Sequence, residues 1–190
     1  QYSWDVFVAV GLLALALGTY PPIAFAIAGS IAVWCSHPAS FVLAGVGISL
    51  LWTFREQRRT TVWIGASWLA SFALCYLLFL RSLATNGYLI DYWSGSFLSL
   101  SDPMGSLKTV YYAFRRPFGL EGEPWMLKGF AAGLFALGLA LTYRRNRRLF
   151  ALLAVPFAAT AVAALLHKYP LAGRMVLFLV PFVCLAVAHA

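Results

Sequence analysis

The segment TVWIGASWLASFALCYLLFL, residues 61–80, contains no charged residue. A helix needs about 20 predominantly apolar residues to cross the hydrocarbon core of a bilayer, so this run predicts a spanning helix. The whole chain is similar in character: 62% of its 190 residues are hydrophobic and 11% are charged. Soluble domains are typically about a quarter charged. The composition therefore predicts an integral membrane protein whose lipid partner covers much of its surface.

Six further apolar runs flank this segment on both sides. Together they predict an all-α, polytopic transmembrane helix bundle with about seven hydrophobic segments, forming a single transmembrane domain over residues 1–190. The chain begins with Gln1 rather than Met, and its last apolar run reaches the C-terminus, so we expect a fragment of a longer protein. The seven predicted segments are Trp4–Thr19, Ile23–Cys35, Ala39–Phe54, Thr61–Leu80, Gly129–Tyr143, Leu149–Leu166 and Arg174–Ala190.

The positive charges are grouped between the apolar runs. A net charge of +8 in a soluble protein would indicate a nucleic-acid partner, but this placement instead indicates orientation in a bilayer, and we expect no nucleic acid. Short arginine-rich loops face the cytoplasm. Threading seven spans places both such loops on that side: residues 55–59 and residues 144–148.

The region 81–128 is then an extracytoplasmic loop. Within it, Leu107, Val110, Tyr111, Phe114 and Phe118 recur at helical spacing. This pattern predicts a helix over Leu107–Phe118 that lies in the membrane interface. A short helix packed on the bundle would show the same spacing, and that alternative stays open.

The strongest polar motif is HKYPLAGR, residues 167–174. Pro170 ends one element, and Arg174 opens an apolar run from its outer end. A guanidinium at a helix N-terminus suits an anion such as a lipid phosphate, with Lys168 and Tyr169 as further donors. An arginine that reaches from the membrane boundary toward water is the alternative reading.

Two further motifs share the predicted outer side. His37, in the break between the second and third apolar runs, is a candidate phosphate or hydroxyl donor; a structural histidine is the alternative. Asp91, Tyr92 and Trp93 form a candidate contact for a sugar or acceptor, because aromatic rings stack on sugar CH groups and a carboxylate accepts from hydroxyls. An interfacial aromatic anchor is the alternative there.

Metal chemistry has little support in the sequence. Cys35, Cys75 and Cys184 are far apart in apolar runs, so we expect three small buried side chains and neither a metal site nor a disulfide. We identify no metal ligands and no cofactor, and the need for a divalent cation stays open. Acidic residues are scarce and none lies in the middle of a run, which argues against an ion-coupled transporter.

Three short motifs carry a family resemblance: Ser36–Gly45, Tyr88–Trp93 and Lys168–Arg174. In these the chain resembles bacterial membrane proteins of the GT-C glycosyltransferase superfamily, nearest to family 39, the dolichyl-phosphate-mannose mannosyltransferase type. The resemblance implies a multi-pass protein of the bacterial inner membrane that takes a sugar from a polyprenyl-phosphate-linked donor at the extracytoplasmic face.

In that family the catalytic acidic residue lies in the first outer loop, for which this chain has no match. The catalytic residues are therefore unknown, and we expect this chain to supply part of the lipid-phosphate-binding site: Arg174, Lys168, Tyr169 and His37. The alternative is a non-catalytic membrane protein, such as a lipid or polysaccharide transporter or an assembly subunit.

Overall fold

A computed structural model describes residues 2–81, 87–115 and 125–190. All regular structure in this part of the chain is helical, as the apolar periodicity predicted. A π-helical turn at Tyr76–Leu80 continues α4, and 3₁₀ segments lie at Ser94–Ser96 and Gly173–Leu179. The α-helices in chain order are α1 (Tyr2–Leu17), α2 (Pro22–Cys35), α3 (Ala39–Thr53), α4 (Arg58–Cys75), α5 (Gly87–Tyr92), α6 (Pro103–Arg115), α7 (Trp125–Arg145), α8 (Arg147–Leu165) and α9 (Val180–Ala188).

The prediction of seven spanning segments is wrong. Among the described residues, only two helices are long and apolar enough to cross a membrane: Arg58–Leu80 with 23 residues and Arg147–Leu165 with 19. Four other apolar stretches, α1, α2, α3 and Arg174–Ala188, are shorter; the 14 residues of α2 extend only about 21 Å, against a hydrocarbon core of about 30 Å. The chain is an all-helical bundle in which two helices have the length and composition of a span.

Proline explains why several apolar runs make short helices. Pro22 sits in the first turn of α2, where its missing N–H costs nothing, and the chain before it is extended. Pro181 lies in the first turn of α9 and cannot donate to the carbonyl four residues earlier. The predicted continuous helix Arg174–Ala190 is therefore replaced by a 3₁₀ segment followed by only nine α-helical residues.

The helix predicted over Leu107–Phe118 begins earlier, at Pro103, and is described as far as Arg115; residues 116–118 lie outside the described part. Asp102 caps it, because the Asp102 carboxylate accepts from the Gly105 N–H at 2.9 Å. Ala113 is buried, and α6 packs on the 3₁₀ segment Gly173–Leu179. Leu107 and Tyr112 on its other faces are exposed. One face of α6 therefore packs on the bundle, as the alternative proposed, and its other faces are exposed.

The core is built on the antiparallel pair α3 and α8. Val42, Val46 and Leu50 of α3 are fully buried. A Cβ added at Gly45 would lie 2.9 Å from Pro156 Cδ, so glycine permits the close approach of these helices. The cost of any larger residue there is a shift of the helix pair.

A second pair, α2 and α4, is joined by hydrogen bonds across its interface. The Trp68 indole N–H donates to the Phe25 carbonyl at 2.9 Å, and the Ser71 hydroxyl donates to the Ser30 carbonyl at 2.8 Å. Trp34 in turn donates to Ser71 Oγ at 2.8 Å. These bonds fix α4 on one edge of the bundle and leave its far side uncovered.

The bundle has two chemically different ends. At one end, the Arg148 guanidinium donates to the carbonyl of Ala16, near the end of α1, at 2.6 Å. The rings of Phe25 and Phe54 meet there too, with centroids 6.1 Å apart. We call this the basic end, because it carries the arginines of residues 55–59 and 144–148. The opposite end, which carries Asp5, the turn 36–38 and residues 167–173, is called the polar end.

Candidate functional site

Three separate turns meet at the polar end. The Leu171 N–H donates to the Ser96 carbonyl at 2.8 Å, which joins the turn after α8 to the segment after α5. The rings of Phe97 and His167 lie 5.1 Å apart. Phe41, in the first turn of α3, contacts the Tyr169 ring at 5.0 Å. The three motifs that the sequence placed on one side are thus drawn from neighbouring turns in space.

Tyr169 is the structural centre of this end. Its hydroxyl donates to the Met175 carbonyl at 2.8 Å, and its ring also meets Phe178 at 6.5 Å. Burial raises the pKa of the Tyr169 hydroxyl well above its ordinary value, and the charges of Asp5 and Tyr2 raise it further. The side chain is a neutral phenol whose proton is already donated within the fold. Tyr169 therefore holds the 3₁₀ segment that carries Arg174. Its hydroxyl proton is used in that bond and is not free for a phosphate.

The three predicted cationic ligands are all open to the surroundings. His37, Lys168 and Arg174 are exposed. Lys168 is held by its backbone, since its N–H donates to the Ala163 carbonyl at 2.9 Å. His167 before it adopts a positive φ of 55°, the left-handed conformation that ends many helices. Local backbone geometry thus places cationic side chains at the surface of the polar end.

The predicted sugar contact forms an aromatic cluster beside these turns. Tyr92 stacks on Tyr88 with centroids 6.3 Å apart and meets Trp93 edge to face at 4.8 Å. Asp91 and Tyr92 are exposed, whereas Trp93 is half-buried. The Trp93 carbonyl accepts from the Ser96 N–H at 2.8 Å, which ties the cluster through Ser96 to Leu171. Exposed ring faces beside a carboxylate remain suited to a sugar.

Sequence reasoning gave no role to Asp5, a carboxylate at this end whose hydrogen bond to Ser36 it did not predict. Asp5 lies in the first turn of α1 and is half-buried. Its Oδ1 accepts from the Ser36 hydroxyl at 2.7 Å. Ser36 itself is only 2% exposed. The available signal was a single acid in an otherwise uncharged apolar helix, which needs a polar partner when it is withdrawn from water.

Metal ligation finds no support in the described residues, where no group of three or more His, Cys, Asp or Glu side chains is close enough to hold an ion. The cysteines are free, as predicted, but only Cys75 is buried; Cys35 and Cys184 are exposed. The polar end therefore combines exposed cations, aromatic faces and one hydrogen-bonded carboxylate. This arrangement can bind an anionic group and a polar ring without a metal ligand from the described chain.

Comparison of the chain with models of protein families, with curated proteins and with solved structures gave no match.

Proposed function

We propose that the protein is embedded in the bacterial inner membrane through α4 and α8. The observation that carries this proposal is the exposure of α4. Only 17% of the most apolar 18-residue stretch of Arg58–Leu80, which is α4 with its π-helical continuation, is buried inside the bundle, and the corresponding share for α8 is 33%. Trp63 is 75% exposed and Leu69 is 70% exposed. A core helix of a soluble protein is mostly covered, whereas contiguous exposed apolar surface of this kind marks contact with a partner or with lipid.

At the polar end, we propose that the protein binds a polyprenyl-phosphate-linked sugar and takes part in glycosyl transfer at the extracytoplasmic face. Arg174 and Lys168 supply charge-assisted hydrogen bonds to the phosphate, and His37 stands on the adjoining turn as a further donor. The cluster of Asp91, Tyr92 and Trp93 receives the sugar or the acceptor. The convergence of these turns supports the proposal, because phosphate and sugar are covalently joined in such a donor.

The chemistry of transfer places two demands on such a site. A carboxylate must accept the proton of the acceptor hydroxyl, and cations must stabilise the departing polyprenyl phosphate. Arg174 and Lys168 meet the second demand. We assign no residue to the first, because the chain has no match to the outer-loop acidic residue that the resemblance implies as the base.

A second candidate is a lipid-binding subunit without catalysis, in a transporter or an assembly complex. The hydrogen bonds of Tyr169 and Asp5 favour it, because both groups are engaged within the fold. The exposed cations would then bind the lipid phosphate without transferring the sugar.

A binding comparison tests the proposal. The purified chain is titrated with three lipids of equal chain length: polyprenyl-phosphate-mannose, polyprenyl phosphate and polyprenol. We expect saturable binding of both phosphates, tightest for the mannosylated lipid, and weak binding of polyprenol. Equal affinity for all three would rule out a phosphate site. Equal affinity for the two phosphates, with polyprenol weaker, would favour the non-catalytic candidate.

A further inference from the structure

A groove runs between α3 and α4 on the uncovered side of the bundle. It has a volume of about 570 Å³. Leu43, Ala44 and Ile48 line it from α3, and Gly65, Leu69 and Phe72 line it from α4. Thr61 and Phe72 mark its extent along α4, and these 11 residue steps correspond to about 17 Å of helix. The groove is elongated along α4 and lined mainly by apolar side chains, so a hydrocarbon chain is a suitable occupant.

Glycine keeps this groove open. A Cβ at Gly65 would meet no atom within 4 Å, and one at Gly47 would meet only the Trp68 ring at 3.5 Å. Gly45 differs, because an added Cβ there would lie against Pro156. The space beside Gly65 in the groove can therefore be filled by substitution.

One polar atom in the groove has no partner. Thr61 is 8% exposed and lines the groove near the start of α4. Within the described chain, its Oγ1 is the buried side-chain polar atom that makes no hydrogen bond. Leaving a buried hydroxyl unpaired is unfavourable, since it loses its bonds to water and gains none. A ligand in the groove with an oxygen at this depth would satisfy it.

The end of the groove beside Thr61, which we call its mouth, is positively charged. Arg58 lies one turn before Thr61 on the same helix, where residues three apart share a face. Arg55, Arg58 and Arg59 are all exposed, and Glu56 is the acid among them. The N-cap residue Gln57 makes no side-chain cap, although its carbonyl accepts from the Thr60 N–H at 2.9 Å. The positive end of the α4 dipole at this position also favours an anion.

We propose that this groove binds one acyl chain of an anionic phospholipid, whose ester oxygen meets Thr61 Oγ1 and whose phosphate lies at Arg58, Arg59 and the start of α4. The positive charge at the mouth favours an anionic phospholipid, because a zwitterionic headgroup has a weaker electrostatic attraction to the arginines. The site lies near the basic end. It goes beyond the proposed donor site at the polar end, and its probe carries neither sugar nor polyprenyl chain.

The experiment measures lipid bound to the purified full chain in detergent by native mass spectrometry. Phosphatidylglycerol and phosphatidylcholine with identical acyl chains are the two probes. Gly65→Leu and Ala44→Leu fill the groove from opposite walls, and Gly133→Leu adds the same side chain to α7, where a Cβ also meets nothing within 4 Å. Thr61→Val removes only the hydroxyl, and Thr60→Val is its neighbour outside the groove lining.

We expect one phosphatidylglycerol bound per chain, with phosphatidylcholine weaker. Each filling variant should abolish the saturable binding, and Gly133→Leu should retain it. Thr61→Val should weaken binding by about two- to ten-fold, the loss expected for one hydrogen bond, and Thr60→Val should not. The double change Arg58→Gln with Arg59→Gln should remove the preference for phosphatidylglycerol.

Several results would overturn the proposal. Binding that survives both filling variants would place the acyl chain elsewhere. Equal binding of the two lipids by the unaltered protein would refute the anionic headgroup. A dimer that Gly65→Leu dissociates, without bound lipid, would assign the groove to a second copy of the chain. If one filling variant fails to fold by circular dichroism, the other variant and Thr61→Val still decide the outcome.

Discussion

The carboxylate of Asp5 accepts a hydrogen bond of 2.7 Å from the hydroxyl of Ser36, although 31 residues separate them. This bond joins the first turn of α1 to the break between α2 and α3. Ser36 is almost completely buried, and Asp5 is half-buried. The pair therefore stabilises the polar end by meeting the hydrogen-bonding needs of two groups that would be costly to bury alone.

Breaking this pair should destabilise the fold. Asp5→Ala and Ser36→Ala should each lower the free energy of unfolding by about 1–3 kcal/mol, because each leaves the other group unpaired. The double variant should cost less than the sum by about 1 kcal/mol or more. Chemical denaturation followed by circular dichroism gives the three values. Ser3→Ala, at an exposed position in the same turn, is the control, and additive losses would show that the two side chains do not interact.

Tyr169 should make stability fall at alkaline pH. Burial raises the pKa of its hydroxyl above the ordinary value of 10. Above about pH 10 the unfolded chain releases this proton and the folded chain keeps it, so folding loses up to about 1.4 kcal/mol per pH unit from this group. Below that pH both states hold the proton, and the group contributes no slope. The predicted loss of stability therefore begins near the pKa of tyrosine in the unfolded chain and grows as the pH rises further.

The measurement is the free energy of unfolding of the unaltered protein and Tyr169→Phe between pH 8 and 11. The phenylalanine variant should be less stable at pH 8, by about 0.5–1.5 kcal/mol, because the bond to the Met175 carbonyl is lost. Its stability should decline less steeply above pH 10. Tyr88→Phe, an exposed position, is the control. Parallel curves for the unaltered protein and Tyr169→Phe would contradict the assignment.

The helical character and the helix breaks could be predicted from sequence, because they follow from local chemistry. The predicted break between the second and third runs lies where α2 ends at Cys35 and α3 begins at Ala39. Pro170 was expected to end a helix, but α8 already ends at Leu165, before the left-handed His167. The two helices with the length and composition of a span, Arg58–Leu80 and Arg147–Leu165, also coincide with predicted runs. The lengths of the others could not be predicted from hydropathy, which measures composition and is insensitive to where hydrogen bonding changes. Pro181 turns a continuous apolar run into a 3₁₀ segment and a short α-helix.

The candidate site was predictable in part. Lys168, Arg174 and His37 were predicted as phosphate ligands, and the structure places all three, exposed, at one end of the bundle; phosphate binding itself stays a prediction. The roles of Tyr169 and Asp5 depend on partners distant in sequence. Tyr169 was predicted as a phosphate ligand, but its hydroxyl donates to the Met175 carbonyl. The bond between Asp5 and Ser36 was not predicted, because the two residues lie 31 positions apart in the chain. Hydrogen-bond partners across helices depend on packing, which a single sequence does not specify.

A charge in the middle of α4 should distinguish lipid from water around this helix. Leu69 lies at the centre of Arg58–Leu80 and is 70% exposed. In a membrane, Leu69→Lys should oppose insertion by about 3 kcal/mol, and the fraction that resists alkaline carbonate extraction should fall. In water the same change at an exposed site would alter stability by only about 0.5 kcal/mol.

Leu100→Lys is the matched control for this change, because Leu100 is more exposed still and lies outside the helices. It should leave membrane extraction unchanged. A chain that stays in the aqueous supernatant before any substitution, and tolerates Leu69→Lys, would refute the membrane proposal.

Arg174 should be the main phosphate ligand of the proposed donor site. It is exposed and lies in the 3₁₀ segment Gly173–Leu179. The next residue, Met175, accepts a hydrogen bond from the Tyr169 hydroxyl at its carbonyl, which fixes the backbone beside Arg174. Charge-assisted hydrogen bonds to phosphate are worth about 1.5–3 kcal/mol. Arg174→Ala should therefore weaken binding of polyprenyl-phosphate-mannose by roughly 10- to 150-fold. Arg174→Lys should recover only part of this, because an ammonium keeps the charge but loses the planar fork.

Titration of both variants with polyprenyl-phosphate-mannose, alongside thermal unfolding in detergent, separates binding from folding. Since the side chain is exposed, the unfolding temperature should change little in either variant. Arg144→Ala removes the same charge from an exposed position at the basic end and should leave donor affinity unchanged. If it weakens binding as much as Arg174→Ala does, the effect is that of net charge. If both Arg174 variants keep the affinity of the unaltered protein, Arg174 is an arginine at the membrane boundary that makes no contact with the donor.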